Sequence, residues 1–357
     1  MIARRTFLAG LAAASAAAPW PSRAAIDNAA YIAVARRNDG THALIGLDTD
    51  GRERFTLPLP ARGHAGAAHP TRSEAVVFSE SAGLFTLVID MHTGGVIGEL
   101  TPPDGQQLTG HGVFADGGAT LLTLEHLATG AEGQVGLWDV ASGYTRIGEI
   151  PAHGLAPHDL RLMPDGRTLV IANGGTLSGP DGDGEADLAE MEPSLAYVSL
   201  AGDLLEDVRL DVALHQCSIR HLALRDDGLV GFAMRWEGAP DVGPPLLGLH
   251  RRGETPVLVQ AQHANELAMK GAAGSAAFSG DGREVAIVSN RSGRLHRFTA
   301  EGLFLGAEIL TGIGGIAPHP AGFIATDSDG GVYTFGADGA EVLAQHDLAW
   351  EAHILVV

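Results

Sequence analysis

The sequence predicts a seven-bladed β-propeller, and three observations support this fold class. First, a unit with histidine at one fixed position recurs along the chain, with successive steps of 47 residues from 64 to 111 and from 111 to 158. Repeats of this length are typical of solenoids and propellers. Second, each unit contains short strand-like segments separated by turn residues. Third, the strand segments at the two ends of the chain add up to one complete blade. The histidines that mark the repeat are His64, His111, His158, His221 and His353.

Two further copies of the unit carry glycine at the histidine position, Gly274 and Gly314, which brings the predicted number of blades to seven. The step from His158 to His221 is longer because an acidic insert lies between them. A full copy reads GHAGAAHP, AVVFSE, LFTLVID and VIGELTP, which we interpret as four strands. Asp-Gly pairs, such as Asp165-Gly166, supply the turn residues that tolerate positive φ.

The chain ends predict how the ring closes. The N-terminal region has only three strand segments, YIAVARR, HALIGLD and ERFTLPL, and the C-terminus has one, HILVV. Together they make one four-stranded blade, which removes an exposed edge between the first and last repeats. A β-sandwich is the alternative fold, but seven copies without a leftover segment favour the propeller.

The first 24 residues have the features of a twin-arginine signal peptide. Arg4-Arg5 precedes an apolar run from Leu8 to Ala18, and Ser22-Arg23-Ala24 places small residues where a signal peptidase cleaves. The apolar run is too short for a membrane anchor. We therefore expect residues 1–24 to be removed, residues 25–357 to form one propeller domain, and the protein to be exported to the periplasm.

Composition narrows the classes of partner. Removal of three arginines with the signal peptide would change the 23 basic residues to 20, against 43 acidic ones, for a net charge near −23. Such a surface repels nucleic acid and anionic lipid. Cys217 is the one cysteine, so an internal disulfide is excluded. We expect a monomer without a membrane span, whose partner is a small ligand or a periplasmic protein.

Propeller geometry places the candidate site. The five histidines are expected to begin the innermost strands, and the ends of the second strands are expected to meet them at the same face of the ring. These two sets should line one funnel, a concave surface with converging polar groups. From the second strands the predicted funnel residues are Glu80, Glu125, Asn173, Arg235, Asn290 and Asp327.

Three interpretations of the histidines stay open. They could line a polar funnel that binds a ligand without a metal ion. Imidazoles facing one another could bind iron, copper or zinc, with His64, His111, His158, His221 and His353 as ligands. Alternatively, a Gly-His pair can tie a blade together through a hydrogen bond to a Trp-Asp pair. Gly110-His111 with Trp138-Asp139 fits that last pattern.

The acidic insert resembles a calcium loop in its spacing only. Acidic residues fall at positions 1, 3, 5, 7 and 12 of that template, but the glycine of position 6 is Ala186 and no flanking helices are evident. A solvated acidic loop is therefore the favoured interpretation over calcium binding. The residues are Asp181, Asp183, Glu185, Asp187 and Glu192.

The order of motifs resembles a bacterial family of twin-arginine-exported propellers, domain of unknown function 1513. The resemblance rests on RGHAGAAHP (62–70), GHGVFADGG (110–118), PHDLRLMPDGRTLVIANGG (157–175), MEPSLAYV (191–198), IRHLALRDDG (219–228), GSAAFSGDG (274–282) and the terminal Trp350-x-x-His353. The family is similar to YVTN and quinoprotein-like propellers, which implies the same fold here. Its association with periplasmic iron-uptake proteins such as imelysins implies an accessory role in iron uptake.

The chain departs from the family pattern at two places. Ser79-Glu80 stand where the family has a basic pair, and Glu351-Ala352 stand where it commonly has Asp-Asn. The absence of the basic pair predicts a more acidic funnel. The leading functional hypothesis is a binding protein rather than an enzyme. A lactonase-like or metal-assisted hydrolase, and an interaction scaffold with structural histidines, are the alternatives.

Overall fold

The computed structural model describes residues 29–80, 84–91, 94–127, 132–176, 188–336 and 339–357. These residues form seven four-stranded antiparallel sheets. The inner strands contact one another in sequence around a ring, as do the strands of a seven-bladed β-propeller. The predicted fold is confirmed, whereas the predicted signal peptide lies outside the described residues.

The first four blades follow the predicted segments. Blade one contains β1 (Tyr31–Arg37), β2 (His42–Leu47), β3 (Glu53–Leu59) and the last strand of the chain, β28 (Leu348–Val356). Blade two contains β4 (Gly63–Ala68), β5 (Glu74–Ser79), β6 (Thr86–Asp90) and β7 (Gly95–Glu99). Blade three contains β8 (Gln106–Ala115), β9 (Thr120–Leu127), β10 (Glu132–Asp139) and β11 (Thr145–Leu155). Blade four contains β12 (Pro157–Leu162), β13 (Thr168–Asn173), β14 (Ser194–Ser199) and β15 (Leu204–Arg209).

The remaining three blades repeat the same meander. Blade five contains β16 (Cys217–Leu224), β17 (Val230–Trp236), β18 (Leu247–His250) and β19 (Val257–Val259). Blade six contains β20 (Ser275–Phe278), β21 (Glu284–Ser289), β22 (Arg294–Thr299) and β23 (Phe304–Ile309). Blade seven contains β24 (Ile313–His319), β25 (Gly322–Asp327), β26 (Gly331–Gly336) and β27 (Gly339–Gln345). One α-helix, α1 (His263–Ala268), joins blades five and six, and three 3-10 turns are at Asp116–Gly118, Leu188–Glu190 and Val212–Leu214. No helix in these described ranges is long and apolar enough to cross a bilayer.

The ring closes through blade one, as the chain ends predict. Tyr31 pairs with Val356 and Ile32 with Leu355 in an antiparallel ladder. The Val357 amide also donates a hydrogen bond to the Ala30 carbonyl at 3.0 Å. Strands from the two ends of the sequence therefore share one sheet, and the first and last repeats leave no unpaired edge between them.

The hydrophobic core of the described residues is divided among the interfaces between blades. Alternate strand residues face the neighbouring sheet, so each of seven apolar clusters combines side chains of two adjacent blades. For example, Val77 and Leu87 of blade two pack with Leu44 and Leu57 of blade one. Because burial lies between sheets, the inner strand ends at the centre of the ring are free to carry polar groups.

Candidate functional site

β-Bulges in the inner strands present the repeat histidines. In blade two, Gly63 pairs with Ser79 and Gly66 pairs with Val77, so that His64 and Ala65 lie outside the regular ladder. The register also shifts between Leu108 and Gly112, between Pro157 and Asp159, between Ile219 and His221, and in β28 between Trp350 and Ile354. A bulge re-aims a side chain and often lies beside a functional site. In β16 the displaced residue is Arg220, and His221 follows it.

The strands begin earlier than predicted at three of these positions. β8 begins at Gln106, β16 at Cys217 and β28 at Leu348, so His111, His221 and His353 lie within their strands rather than at their starts. The bulge, which the repeat pattern does not reveal, is the feature that turns these side chains inward.

The five imidazoles converge at the centre of the ring of inner strands. Neighbouring ring centroids lie 4.5 Å apart for His64 and His353, 4.6 Å for His158 and His221, 4.9 Å for His221 and His353, and 5.0 Å for His64 and His111. The Nε2 atoms of His64 and His111 are 3.2 Å apart. We call this group the histidine cluster.

Gly110 permits the close approach of His64 to His111. Its φ is +103°, a conformation that strains other residues, and a Cβ there would lie 2.8 Å from Cδ2 of His64. The glycine before His111 is therefore required both by the backbone and by the neighbouring imidazole.

Asp159 supports the histidine cluster from behind. Its Oδ1 lies 3.3 Å from Nδ1 of His111, across the boundary between blades three and four. The carboxylate also accepts hydrogen bonds from the amides of Leu160 (2.8 Å) and Leu222 (2.9 Å), and Arg161 lies 3.2 Å away. Proton donation from Nδ1 to Asp159 leaves Nε2 of His111 as the nitrogen with a free lone pair, facing the other imidazoles.

Electrostatics favour the neutral form of four imidazoles of the cluster and the charged form of the Asp159 carboxylate. Burial lowers the pKa of His221 to about 3 and, with the neighbouring imidazoles, lowers the pKa of His64, His158 and His353 well below the ordinary value. Burial alone would raise the pKa of Asp159, but Arg161 and His111 outweigh it and hold that pKa below its usual range. Neutral imidazoles are the form that binds metal ions.

An open cavity of about 310 Å³ borders the histidine cluster. The predicted funnel residues among its lining are His64, His158, His221, His353, Glu80, Arg235 and Asn290. His111 is buried beside them, with 5% of its surface exposed, and is not part of the lining. The expected meeting of inner strands and second strands at one face is therefore found for these side chains.

Three of the predicted funnel residues from the second strands are not brought to the cavity. Glu125 is buried inside blade three, where Arg146 lies 2.7 Å from its Oε1. Asp327 accepts a hydrogen bond from the Tyr333 hydroxyl of its own blade at 2.8 Å. Asn173 is buried between blades four and three, where it donates to the Ser194 hydroxyl and to the Ala152 carbonyl. Strand side chains alternate between the two faces of a sheet, and these three lie within or between blades rather than at the cavity.

The predicted tie between His111 and the Trp138-Asp139 pair is not the arrangement in blade three. Nε1 of Trp138 donates to the Thr123 hydroxyl at 2.8 Å, and Asp139 accepts from the Ser142 amide at 2.9 Å. His111 instead contacts His64 and Asp159 of the two adjacent blades. His111 therefore connects neighbouring blades at the centre of the ring and does not tie one blade together.

Most of the calcium template lies outside the described residues, which omit Asp181, Asp183, Glu185 and Asp187. Glu192, its last member, forms an ion pair of 2.8 Å with Arg209.

Sequence reasoning missed four residues of this region: Asp159, Arg62, Arg220 and Arg291. The three arginines line the cavity. Each follows or precedes a predicted residue closely, since Arg220 adjoins His221, Arg291 adjoins Asn290, and Arg62 is two residues before His64. The prediction of a more acidic funnel did not take these three arginines into account. Glu80 and Glu351 do line the cavity, but both form ion pairs with Arg62.

The donor atoms fit a transition-metal ion. Two sets of three, His64–His111–His353 and His111–His158–His221, each place one nitrogen per residue within 4.8 Å of the others. Zinc–nitrogen bonds of 2.0–2.1 Å in a tetrahedron place two ligand nitrogens roughly 3.3 Å apart, near the 3.2 Å of His64 and His111. Nδ1 of His158 is buried without a hydrogen-bond partner. Unpaired buried nitrogens and neutral imidazoles are suited to a divalent metal of the iron-to-zinc series.

Comparison with known structures supports the fold and no more. Hydrazine synthase of Kuenenia stuttgartiensis is similar, with a TM-score of 0.59 and 12% sequence identity over 86% of this chain and 89% of that one. No curated protein matches the chain at a significant level. The family model described as "protein of unknown function (DUF1513)" matches residues 57–357, which include all five histidines and Asp159. The chain therefore belongs to the DUF1513 family of proteins.

Proposed function

We propose that this propeller binds a divalent transition-metal ion at the histidine cluster. The observation that carries the proposal is the convergence of five imidazoles on one volume, with Nε2 of His64 and His111 3.2 Å apart. An all-nitrogen, uncharged ligand set favours iron, copper, zinc or nickel over calcium or magnesium, which prefer oxygen ligands.

The shared position of His111 in both three-histidine sets suggests how an ion would be held. His111 is the most firmly oriented member, because Asp159 fixes its Nδ1. An ion bound by His111 would draw its other ligands from His64 and His353 or from His158 and His221. Three ligands would leave positions open toward the cavity, as in catalytic metal sites.

The twin-arginine motif supports a periplasmic location for this function. That route exports proteins after folding, so a metal could be inserted in the cytoplasm before export. The association of similar propellers with iron-uptake proteins makes iron the first metal to examine, in an accessory role in iron uptake. A protein partner that approaches through the funnel fits the same role.

Metal content after native export tests the proposal. Protein purified from the periplasm should contain a stoichiometric transition metal by inductively coupled plasma mass spectrometry, and the variant His111→Ala should lose it. His215→Ala is the matched control, because His215 is half-buried directly after the 3-10 turn Val212–Leu214, outside the cluster. Absence of stoichiometric metal, with no metal-dependent rise in melting temperature, would refute the proposal.

A metal-assisted hydrolase is the second candidate, because a cavity of about 310 Å³ adjoins the cluster and could admit a substrate. A bound metal lowers the pKa of its water to roughly 7 and so supplies a nucleophile. Turnover of lactones or esters by the wild type, abolished in His158→Ala, would support this activity. Rates equal to the uncatalysed background in both proteins would exclude it for the substrates used.

A further inference from the structure

An excess of positive charge lies at the cavity of a protein that is acidic overall. The chain has a formal net charge of −20, yet Arg62, Arg220, Arg235 and Arg291 line the cavity beside the histidine cluster. Arg62 forms ion pairs with two carboxylates, Glu80 and Glu351, so these three residues carry one net negative charge and Arg62 adds none of the positive excess. The other three arginines come from blades five and six and form what we call the arginine group.

The arginine group has fewer neighbouring carboxylates than it needs to be electrically neutral. Arg220 and Arg235 both approach the same oxygen, Oε1 of Glu237, at 3.3 Å and 2.9 Å. The buried Nε–H of Arg235 is not aligned to donate a hydrogen bond to that oxygen. Arg291 has no ion pair within the described part of the chain and is exposed to solvent. Three guanidinium groups therefore have one carboxylate among them.

The three guanidinium groups repel one another, because like charges that are partly removed from water interact unfavourably. An anion placed among them would relieve that repulsion, and it could accept a hydrogen bond from the Nε–H of Arg235, which has no hydrogen-bond partner.

Blade six leaves the space that such an anion needs. Gly274 occupies the repeat position at which five other blades carry a histidine. The two residues before it, Ala272 and Ala273, are also small and line the cavity. A Cβ at Gly274 would make only ordinary van der Waals contact, 3.7 Å from Oδ1 of Asn290, so this part of the cavity is lined by small residues and has room beside them. The open volume and the arginine group are thus on neighbouring blades.

We propose that the cavity binds a small multivalent oxyanion, a di- or tricarboxylate or a phosphate compound, through Arg220, Arg235 and Arg291. A planar guanidinium donates two parallel hydrogen bonds to either oxyanion, so the arginines define the ligand class and leave its carbon or phosphorus skeleton open. The site is formed by the arginine group without a metal ion. It adds a ligand class to the proposed metal binding without depending on it.

Isothermal titration calorimetry of the full mature chain, stripped of metal with a chelator, tests this inference. Citrate and inorganic phosphate are the two probes, measured at neutral pH. We expect at least one of them to bind, and Arg291→Gln to weaken it roughly tenfold to hundredfold, the range for hydrogen bonds to charged groups. Preferential binding of citrate would identify a carboxylate ligand, and preferential binding of phosphate would identify a phosphate ligand.

Arg283→Gln is the matched control, since it removes the same charge from an exposed turn at the other end of blade six, where Arg283 is 86% exposed. The inference is overturned if neither probe binds, or if Arg283→Gln weakens binding as much as Arg291→Gln does. Because the protein is metal-free throughout, a failure here leaves the proposed metal site untouched. A failure to retain metal in the other experiment equally leaves this one unaffected.

Discussion

Nδ1 of His111 and Oδ1 of Asp159 lie 3.3 Å apart on the inner strands of adjacent blades. The carboxylate is held by amides of its own strand and of blade five, so the contact joins three blades behind the histidine cluster. Carboxylate–histidine pairs of this kind orient the imidazoles of metal sites and raise their basicity.

Asp159→Asn should weaken metal binding by roughly tenfold to hundredfold, as expected for loss of a supporting carboxylate. An amide carries no charge and can donate a proton to Nδ1, which would misorient His111. Competition titration against a chromogenic chelator measures the affinity, and near-ultraviolet circular dichroism checks the fold. Asp203→Asn, an exposed change in the same blade, should bind as tightly as the wild type. Equal affinity in both variants would remove Asp159 from the site.

Acid should destabilise the metal-free protein through its buried imidazoles. An unfolded histidine titrates near pH 6.5, whereas burial lowers the pKa of His221 to about 3 in the folded state. The unfolded chain therefore binds more protons below about pH 6.5, and the free energy of unfolding falls as pH falls toward the folded pKa. Each such histidine contributes about 1.4 kcal/mol per pH unit in that window.

Comparison with His221→Gln isolates this effect. Burial raises the pKa of Glu266 to about 7, which acts in the opposite direction because its folded form binds the extra proton. Glu266 is present in both proteins, so the difference between them reports the histidine. Urea denaturation across the acid range should show a shallower pH dependence for His221→Gln. Parallel pH profiles would contradict the assigned pKa of His221.

Gly110→Ala should destabilise the fold and displace His64. A positive φ costs an alanine about 1 kcal/mol or more, and the added Cβ would lie 2.8 Å from the imidazole. Gly105→Ala is the control, because its φ is +81° but a Cβ there meets nothing within 4 Å. Denaturant melts should therefore show the larger loss in Gly110→Ala, together with weaker metal binding. Equal losses would mean that the contact with His64 does not matter.

Removal of residues 348–357 should prevent the ring from closing. The deletion takes away β28 and exposes the ladder of β1, which pairs with it from Tyr31 to Arg37. We expect aggregation or loss of cooperative thermal unfolding by differential scanning calorimetry. His353→Ala retains the strand, so it should stay folded and lose only an imidazole. A soluble, cooperatively unfolding deletion variant would contradict closure through blade one.

The sequence predicts the fold well because the strands and turns of a propeller repeat have recognisable local sequence patterns. Strand-like alternation, Asp-Gly turns and histidines at fixed intervals identify the blades, and the count of segments at each end identifies the shared one. The site is predicted less completely. The direction in which a strand side chain points depends on the register of its pairing, which the sequence does not give. For this reason Glu125, Asn173 and Asp327 are predicted to lie in the funnel but are buried away from it.

Two of the residues that sequence reasoning missed have different physical causes. A β-bulge displaces Arg220 from the ladder of β16, and one extra residue in a strand leaves no periodic trace. Asp159 was missed because it contacts the histidine of the preceding blade, 48 residues earlier in the chain. Contacts between repeats require the closed ring before they can be seen.

The central claim, that five imidazoles from five blades hold one transition-metal site, is tested most directly by anomalous X-ray diffraction from crystals of metal-loaded protein. The account predicts an anomalous peak bonded to Nε2 of His111 and to at least two other histidines of the cluster, at about 2.0–2.1 Å for zinc. A well-ordered crystal that shows no peak among these histidines, or shows its metal bound elsewhere, would contradict it.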